Sequence, residues 1–319
     1  FNRYGTQWVA SFDSNESQRI IDLAQNANAH IVRLWLFEGN QSSALVWENN
    51  RAVSLNPVFL KNLKIVIQQA YQKNMKLNLT LLDGNTGKFP FPNDAVKNYW
   101  WNLLNDSYSE RQNFIKNIYT PLLAEIRKIE NELKQQVVTQ IDLVNEINVF
   151  TLNSSKVKFA DGWKGVSHFI CDFAEAKKSI SPQIALSASV GWDKATQHIL
   201  DGQIPSSCVD YFDFHIYNDG GDIADCAQLV NYAHQKGKKI QLGEFGQSIN
   251  LNWLLNGVFK LDTLQKVVTR NFIKNARACG LDAAMAWRLV EPESNAYLTY
   301  ERQGVLRPAY YEFQKESGK

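Results

Sequence analysis

"VDYFDFHIYND", residues 209–219, alternates between two kinds of side chain. In an extended strand side chains point alternately to opposite faces. Phe212, Phe214 and Ile216 therefore share one face, and Asp213, His215 and Tyr217 share the other. The apolar face asks for helices against it. The other face carries titratable groups inside an apolar run, so the strand lines something polar, and what it lines decides the fold.

Seven more runs of apolar or β-branched residues share its rhythm: 5–11, 30–37, 75–83, 137–146, 183–191, 239–246 and 281–290. Longer amphipathic segments separate them. Asp13 with Glu16, and Ser107 with Glu110, have the spacing of helix capping boxes. Asn56-Pro57 reads as an N-cap followed by proline at the first helical position. Asp161 starts a segment reaching about Ile180, and 222–236, 262–279 and 308–316 supply further helices. The helix after Ser107 runs to about Leu133, with a kink expected at Pro121. Gly237 and Gly280 stand where helix C-caps belong. Eight strand–helix units in strict alternation predict an α/β fold, a (β/α)8 TIM barrel, in a single domain covering 1–319. The rival is a doubly wound open sheet. Against it, no G-x-G-x-x-G or P-loop follows any run, and polar residues gather at the C-terminal ends of the runs.

Composition narrows the function classes. The 34 basic and 32 acidic residues nearly balance, so nothing steers the chain toward nucleic acid or an anionic membrane. No apolar run approaches the ~20 residues of a membrane span. The chain opens on Phe1, so processing or trimming is expected. The four cysteines, Cys171, Cys208, Cys226 and Cys279, show no metal-ligand spacing and read as buried free thiols. Two long loops are expected at the mouth of the barrel. Residues 84–108, after the third run, carry Phe89, Phe91, Tyr99, Trp100 and Trp101; residues 247–261, after the seventh, carry Trp253. These aromatics either stack on sugar rings, whose C–H faces they match, or pack the loops onto the barrel.

The ends of the runs hold the candidate chemistry. Arg33, Trp35 and Phe37 share one face of the second run, and the third ends in Asp83. The fourth ends in Asn145-Glu146, the sixth carries His215 and Tyr217, the seventh ends in Glu244, and the eighth carries Trp287. A carboxylate closing an apolar strand is costly unless partnered. In a barrel, Glu146 and Glu244 would face each other across the mouth. Glycosidic bond cleavage uses such a pair: one carboxylic acid protonates the leaving oxygen, and one carboxylate attacks or activates water. Arg33 and the Tyr217 hydroxyl are placed to stabilise charge on Glu244, and His215 to hydrogen-bond Glu146.

"VNE" closing the fourth run, "HIY" in the sixth and "GEFG" closing the seventh resemble the retaining glycoside hydrolases of clan A, family 5 in particular, the cellulase and mannanase family. "IVRLWLF" and "AMAWRL" fit the same pattern, which spans about residues 5 to 290. The resemblance implies Glu146 as general acid/base and Glu244 as nucleophile. It implies Asn145 as the contact to the sugar 2-hydroxyl, and Arg33, His215 and Tyr217 as supports. Trp287 would be an aromatic platform, with Trp35 and Trp253 as further substrate contacts. It implies no metal and no cofactor, a poly- or oligosaccharide partner, secretion and a monomer. Two departures stand out: Ile147 follows the acid/base where many members have proline, and Asp83 stands where many have histidine. The sugar, of β-glucan or β-mannan type, is left open, as is endo or exo action.

Each reading has a plainer rival. The glutamates could be salt-bridged strand ends, His215 and Tyr217 a core network, Arg33 a structural ion pair, and Trp287 barrel packing. Asp83 and Asp213 read as structural. His30, His168, His198 and His234 lie away from the mouth. At the level of function, the alternatives are a catalytically inactive carbohydrate-binding barrel and an unrelated barrel enzyme. The latter lacks support, since no run carries an inward lysine near its end.

Overall fold

The computed structural model describes residues 8–39, 41–84, 91–105, 108–149, 159, 161–192, 194–247, 258–291, 300–302 and 304–318. Two helices begin where the caps predict, whereas Trp163–Ile180 starts after Gly162 and not on an Asp161 cap. Asp13 accepts from the backbone N–H of Asn15 and Glu16 at the start of Ser14–Asn26. The box is half formed, because Glu16 turns to Arg19 instead. Asn56 caps Pro57–Gln72 through the Val58 N–H. Ser107 lies outside the described residues. Just ahead of Pro121, where a kink is expected, the chain takes a π-helical turn over Ile115–Tyr119 between helices Tyr108–Phe114 and Thr120–Leu133. Proline offers no N–H and crowds the carbonyl four residues back, here Asn117, and the wider turn relieves both. Gly237 and Gly280, both at positive φ, follow helices Cys226–Gln235 and Val258–Cys279 as expected.

The strands are β1 (Ile31–Phe37), β2 (Leu45–Glu48), β3 (Arg51–Leu55), β4 (Lys76–Asp83), β5 (Val138–Asn145), β6 (Ala185–Ser187), β7 (Ser189–Val190), β8 (Tyr211–Tyr217), β9 (Lys239–Gly246) and β10 (Ala283–Ala286). β1, β4, β5 and β6 form one parallel arc, and β7, β8, β9 and β10 form the other. Only Ala188 separates β6 from β7, so one stretch of chain passes from arc to arc. Each strand thus neighbours the next of its kind in sequence, as in a barrel, and the reversal of order that defines a doubly wound sheet is absent among the described residues. Helices cover the outer face: Phe212 and Phe214 are fully buried, and Phe212 packs on Tyr232 of Cys226–Gln235. β2 and β3 make a hairpin whose two-residue turn, Asn49-Asn50, has positive φ at both positions. β11 (Val290–Glu291), β12 (Glu301–Arg302) and β13 (Val305–Leu306) form a small separate sheet.

Three expectations change. Residues 8–11 of the first run form a turn rather than a strand, and 5–7 lie outside the described residues. Trp8 is buried there, packs on Phe59 and donates its indole N–H to the Trp35 carbonyl at 2.7 Å. The expected loop at 84–108 contains a helix, Asp94–Asn105. Its apolar residues recur every three to four positions, and Tyr99 and Trp100 are buried against Trp47. Those two rings are packing, and Phe91 also packs on the core, while Phe89 lies outside the described residues. Of 247–261, residues 258 onward form a helix, and Trp253 lies outside the described residues.

The cysteines are not free: Cys171 is bonded to Cys208, and Cys226 to Cys279. Their separations of 37 and 53 residues carry no local signature, and packing alone brings the Cα atoms to 5.0 and 6.0 Å. Loop-closure entropy puts each bond at about 4 kcal/mol of stability. Reduction under native conditions is expected to lower the thermal midpoint by several degrees, as is Cys171→Ser paired with Cys208→Ser. A midpoint insensitive to reductant in calorimetry would contradict this.

Candidate active site

Arg33, on β1, sits at the centre of the polar interior with its side chain 7% exposed. Its guanidinium pairs with Glu244 on β9 and donates to Asp142 at 2.7 Å and Asn145 at 2.9 Å on β5. Burial opposes its charge, but Glu244, Asp142 and Asp213 together keep it firmly protonated. One side chain thereby ties β1, β5 and β9.

Glu146 follows β5 in the left-handed region, with φ at 54°. That conformation is unfavourable for a non-glycine residue and needs over-determined surroundings. Its N–H donates to Ser189 Oγ at 3.0 Å. Gly84 packs so closely that a Cβ there would sit 2.4 Å from the Glu146 carbonyl oxygen, and a Cβ at Gly191 would lie 2.3 Å from Oε1. Gly84 cannot carry a side chain without moving backbone, and one at Gly191 would push the Glu146 carboxyl out of place. The carboxyl group takes His215 Nδ1 against Oε1 at 3.2 Å and the Trp192 indole N–H on Oε2 at 2.6 Å. Across the mouth, Glu244 accepts from Arg33 and from the Tyr217 hydroxyl at 2.5 Å, with His215 Nδ1 at 3.5 Å.

Buried charges set the protonation of the supports. For His215, burial resists charging, but the Glu244 charge and the Glu146 hydrogen bond outweigh it and leave the ring easier to protonate than usual. Burial, then Glu244, pushes Tyr217 well above the ordinary phenol, so it is a donor at all working pH. Burial and the nearby Asp142 raise Asp213 to about 6. One atom each of Glu146, His215 and Glu244 lies within 4.8 Å of the other two. Among the described residues it is the one cluster spaced to hold a cation. Arg33 pairs with one of its carboxyl groups, and His215 Nδ1 lies against both.

The structure thus brings Arg33, Asn145, Glu146, His215, Tyr217 and Glu244 together. Trp287 and Trp35 lie beside them, their rings 5.9 Å apart, and Arg33 stands over Trp35 at 5.8 Å. Phe37 does not join this face: alternation breaks at Leu36-Phe37, and Phe37 packs against Phe59 and Phe114. Asp213 accepts from Gln241 at 2.6 Å and supports the site from below.

Several site residues were not singled out in the sequence. Asp142 accepts from Arg33 and from Ser189. Inward alternation on β5 points to Asp142, but Ser189 and Trp192 sit in a short run with no polar punctuation. Glu38, just past β1, is 8% exposed, and its Oε2 has no hydrogen-bond partner among the described residues. Burial and the Asp83 charge push it up to about 8, with Arg288 opposing.

No protein-family model matches the sequence, and a search of the curated proteins finds no match. Solved structures match in shape. A β-1,4-D-mannanase from Cryptopygus antarcticus gives a TM-score of 0.70 at 16% identity, over 100% of this chain and 88% of that one. An endo-1,4-β-mannanase from Rhizomucor miehei gives 0.67 at 15%, over 99% and 95%. An exo-β-1,4-mannosidase from Opitutaceae bacterium strain TAV5 gives 0.71 at 13%, over 99% and 58%. The chain has the (β/α)8 fold of these glycoside hydrolases.

The Glu38 carboxyl gives a pH dependence whose sign is fixed. A folded pKa above the unfolded value means that the native state keeps a proton the unfolded state releases. Glu38 therefore subtracts stability progressively as pH rises from about 4.5 to about 8. Glu38→Gln is expected to melt at an increasingly higher temperature than the native protein as pH rises through that window. An equal gap at both ends would show that folding does not shift the Glu38 carboxyl.

Proposed function

We propose that the protein is a retaining glycoside hydrolase cutting β-linked glycans, of β-mannan type in the first instance. One observation carries the reading: buried glutamates at the ends of β5 and β9 face each other with one carboxylate oxygen of each within 4.8 Å, too close to leave room for a water between them. Retaining enzymes hold their carboxyl groups about 5–5.5 Å apart, whereas inverting ones need about 6.5–9.5 Å to admit a water. Glu244, paired with Arg33 and Tyr217, is the nucleophile: its oxygen bonds to the anomeric carbon as the glycosidic bond breaks. Glu146 delivers its proton to the leaving oxygen. It then takes a proton from the water that attacks the glycosyl-enzyme ester, releasing Glu244 and retaining the configuration. Asn145, whose amide oxygen is held by Arg33, offers its amide N–H to a sugar hydroxyl. Trp287 and Trp35 give the bound ring an apolar wall.

The mannan preference draws on the structural neighbours named above, several of which are mannanases or a mannosidase. The two disulfides favour an oxidising compartment and so support secretion. No described helix is long and apolar enough to cross a membrane.

The test is reducing-end release from a panel of β-mannans, β-glucans and xylans. Glu244→Ala and Glu146→Ala are each expected to cost at least about a thousandfold in kcat, with a lowered melt for Glu244→Ala, which leaves the buried Arg33 short of a partner. Unimpaired turnover in both variants would sink the assignment. Saturable glycan binding without turnover in the native protein would favour the inactive binding barrel.

A further inference from the structure

β9 carries one residue more than the strands beside it. Gln241 and Leu242 pair with Asp213 and Phe214 of β8, but the next pair is Glu244 with His215. Toward β10 the same slip falls between the pairs Ala284–Leu242 and Ala286–Phe245. Gly243 is the extra residue. Such a bulge reverses the alternation of faces. Gln241 and Glu244, three positions apart, therefore both turn inward, Gln241 to Asp213 and Glu244 to Tyr217. The bulge also makes room. A Cβ at Gly243 would collide with the Asp213 carboxyl, which lies over the bare Cα.

The two oxygens of that carboxyl meet different surroundings. Oδ2 accepts from Gln241 at 2.6 Å and from Ser187 at 3.3 Å. Oδ1 has no hydrogen-bond partner among the described residues, and it stands 3.9 Å from His215 Nε2, which has none either. Both side chains are closed to solvent. On the other side of the ring, His215 Nδ1 lies 3.2 Å from Glu146 Oε1 and 3.5 Å from Glu244 Oε2. A buried polar atom left unpaired is costly, and here an acceptor and a ring nitrogen face each other.

We propose that Asp213 is a positioning residue: its Oδ1 keeps a proton on His215 Nε2 and so holds the ring with Nδ1 turned to the two glutamates. This rests on the glycosidase reading above. Turning the ring over would exchange Nδ1 for a ring carbon, which offers the glutamates no hydrogen bond. At 3.9 Å the pair is an electrostatic contact rather than a hydrogen bond, and burial keeps such a contact strong. The other charged groups near Asp213 are Asp142 of β5 and Arg33 of β1.

Asp213→Asn reverses the contact. Gln241 and Ser187 hold the side-chain oxygen, so the new amide N–H faces His215 and needs a bare Nε2 there. The ring is read by NMR of isotope-labelled histidine nitrogens, with the His215 signals assigned by their loss in His215→Gln. At about pH 8, above the Asp213 value of about 6, Nε2 is expected to be protonated in the native protein and bare in Asp213→Asn. Asp213→Asn is also expected to lose at least about tenfold in kcat on manno-oligosaccharides, with KM close to native. A bare Nε2 in the native protein, a protonated one in Asp213→Asn, or native kcat in the folded variant overturns the proposal. If Asp213→Asn does not fold, the native spectrum decides, a protonated Nε2 supporting the proposal and a bare one overturning it. If the native protein cuts nothing, the glycosidase reading fails, and the Nε2 proton in the two proteins still decides whether Asp213 sets the ring.

Discussion

A buried guanidinium organises this molecule. Arg33 joins β1 to β5 and β9, contacting Glu244, Asp142 and Asn145 from a position almost closed to solvent. Taking such charges out of water costs several kcal/mol per ion, and the pairing recovers that only if the geometry is good. Removing one partner would strand the others. The arrangement is therefore poor evidence of stability and good evidence of specification. It fixes the distance between strands that share no backbone hydrogen bond, and Glu244 stands at one end of it.

The second constraint is close backbone packing around Glu146. Its left-handed backbone fits because Gly84 and Gly191 leave room and Ser189 takes its N–H. Asp142 supports Ser189, and Arg33 supports Asp142. The two glutamates are thus held by one connected network, yet they meet different donors. Glu244 faces a permanent cation and a phenol, whereas Glu146 faces an imidazole and an indole. In the proposed mechanism, that asymmetry assigns Glu244 the attack and Glu146 the proton transfer.

Much of this was legible in the sequence, and the reason is periodicity. Alternation on 209–218 assigned Phe212 and Phe214 to the helices and His215 and Tyr217 to the interior, as found. Capping at Asp13 and Asn56 likewise depends on neighbours two or three residues away. Where local order breaks, the reading failed. Phe37 left its expected face at a break in alternation, and the aromatic stretch around Tyr99 and Trp100 is a packed helix. The Asn49-Asn50 turn between two short apolar runs was a hairpin signal that the strand–helix rhythm obscured.

By itself the sequence determined seven of the eight expected barrel strand positions, the inward face of strands whose alternation is unbroken, and which carboxylates close apolar strands. Those properties follow from residues within a few positions of one another. Tertiary structure alone decided what meets across the barrel. Cys171 found Cys208, Ser189 joined Asp142, and Trp192 reached Glu146, 46 residues away. These contacts join separate strand–helix units, and their geometry comes from strand tilt and turn conformation. No short-range pattern encodes either, so the distances between the carboxylates and their donors exist only once the arcs have folded.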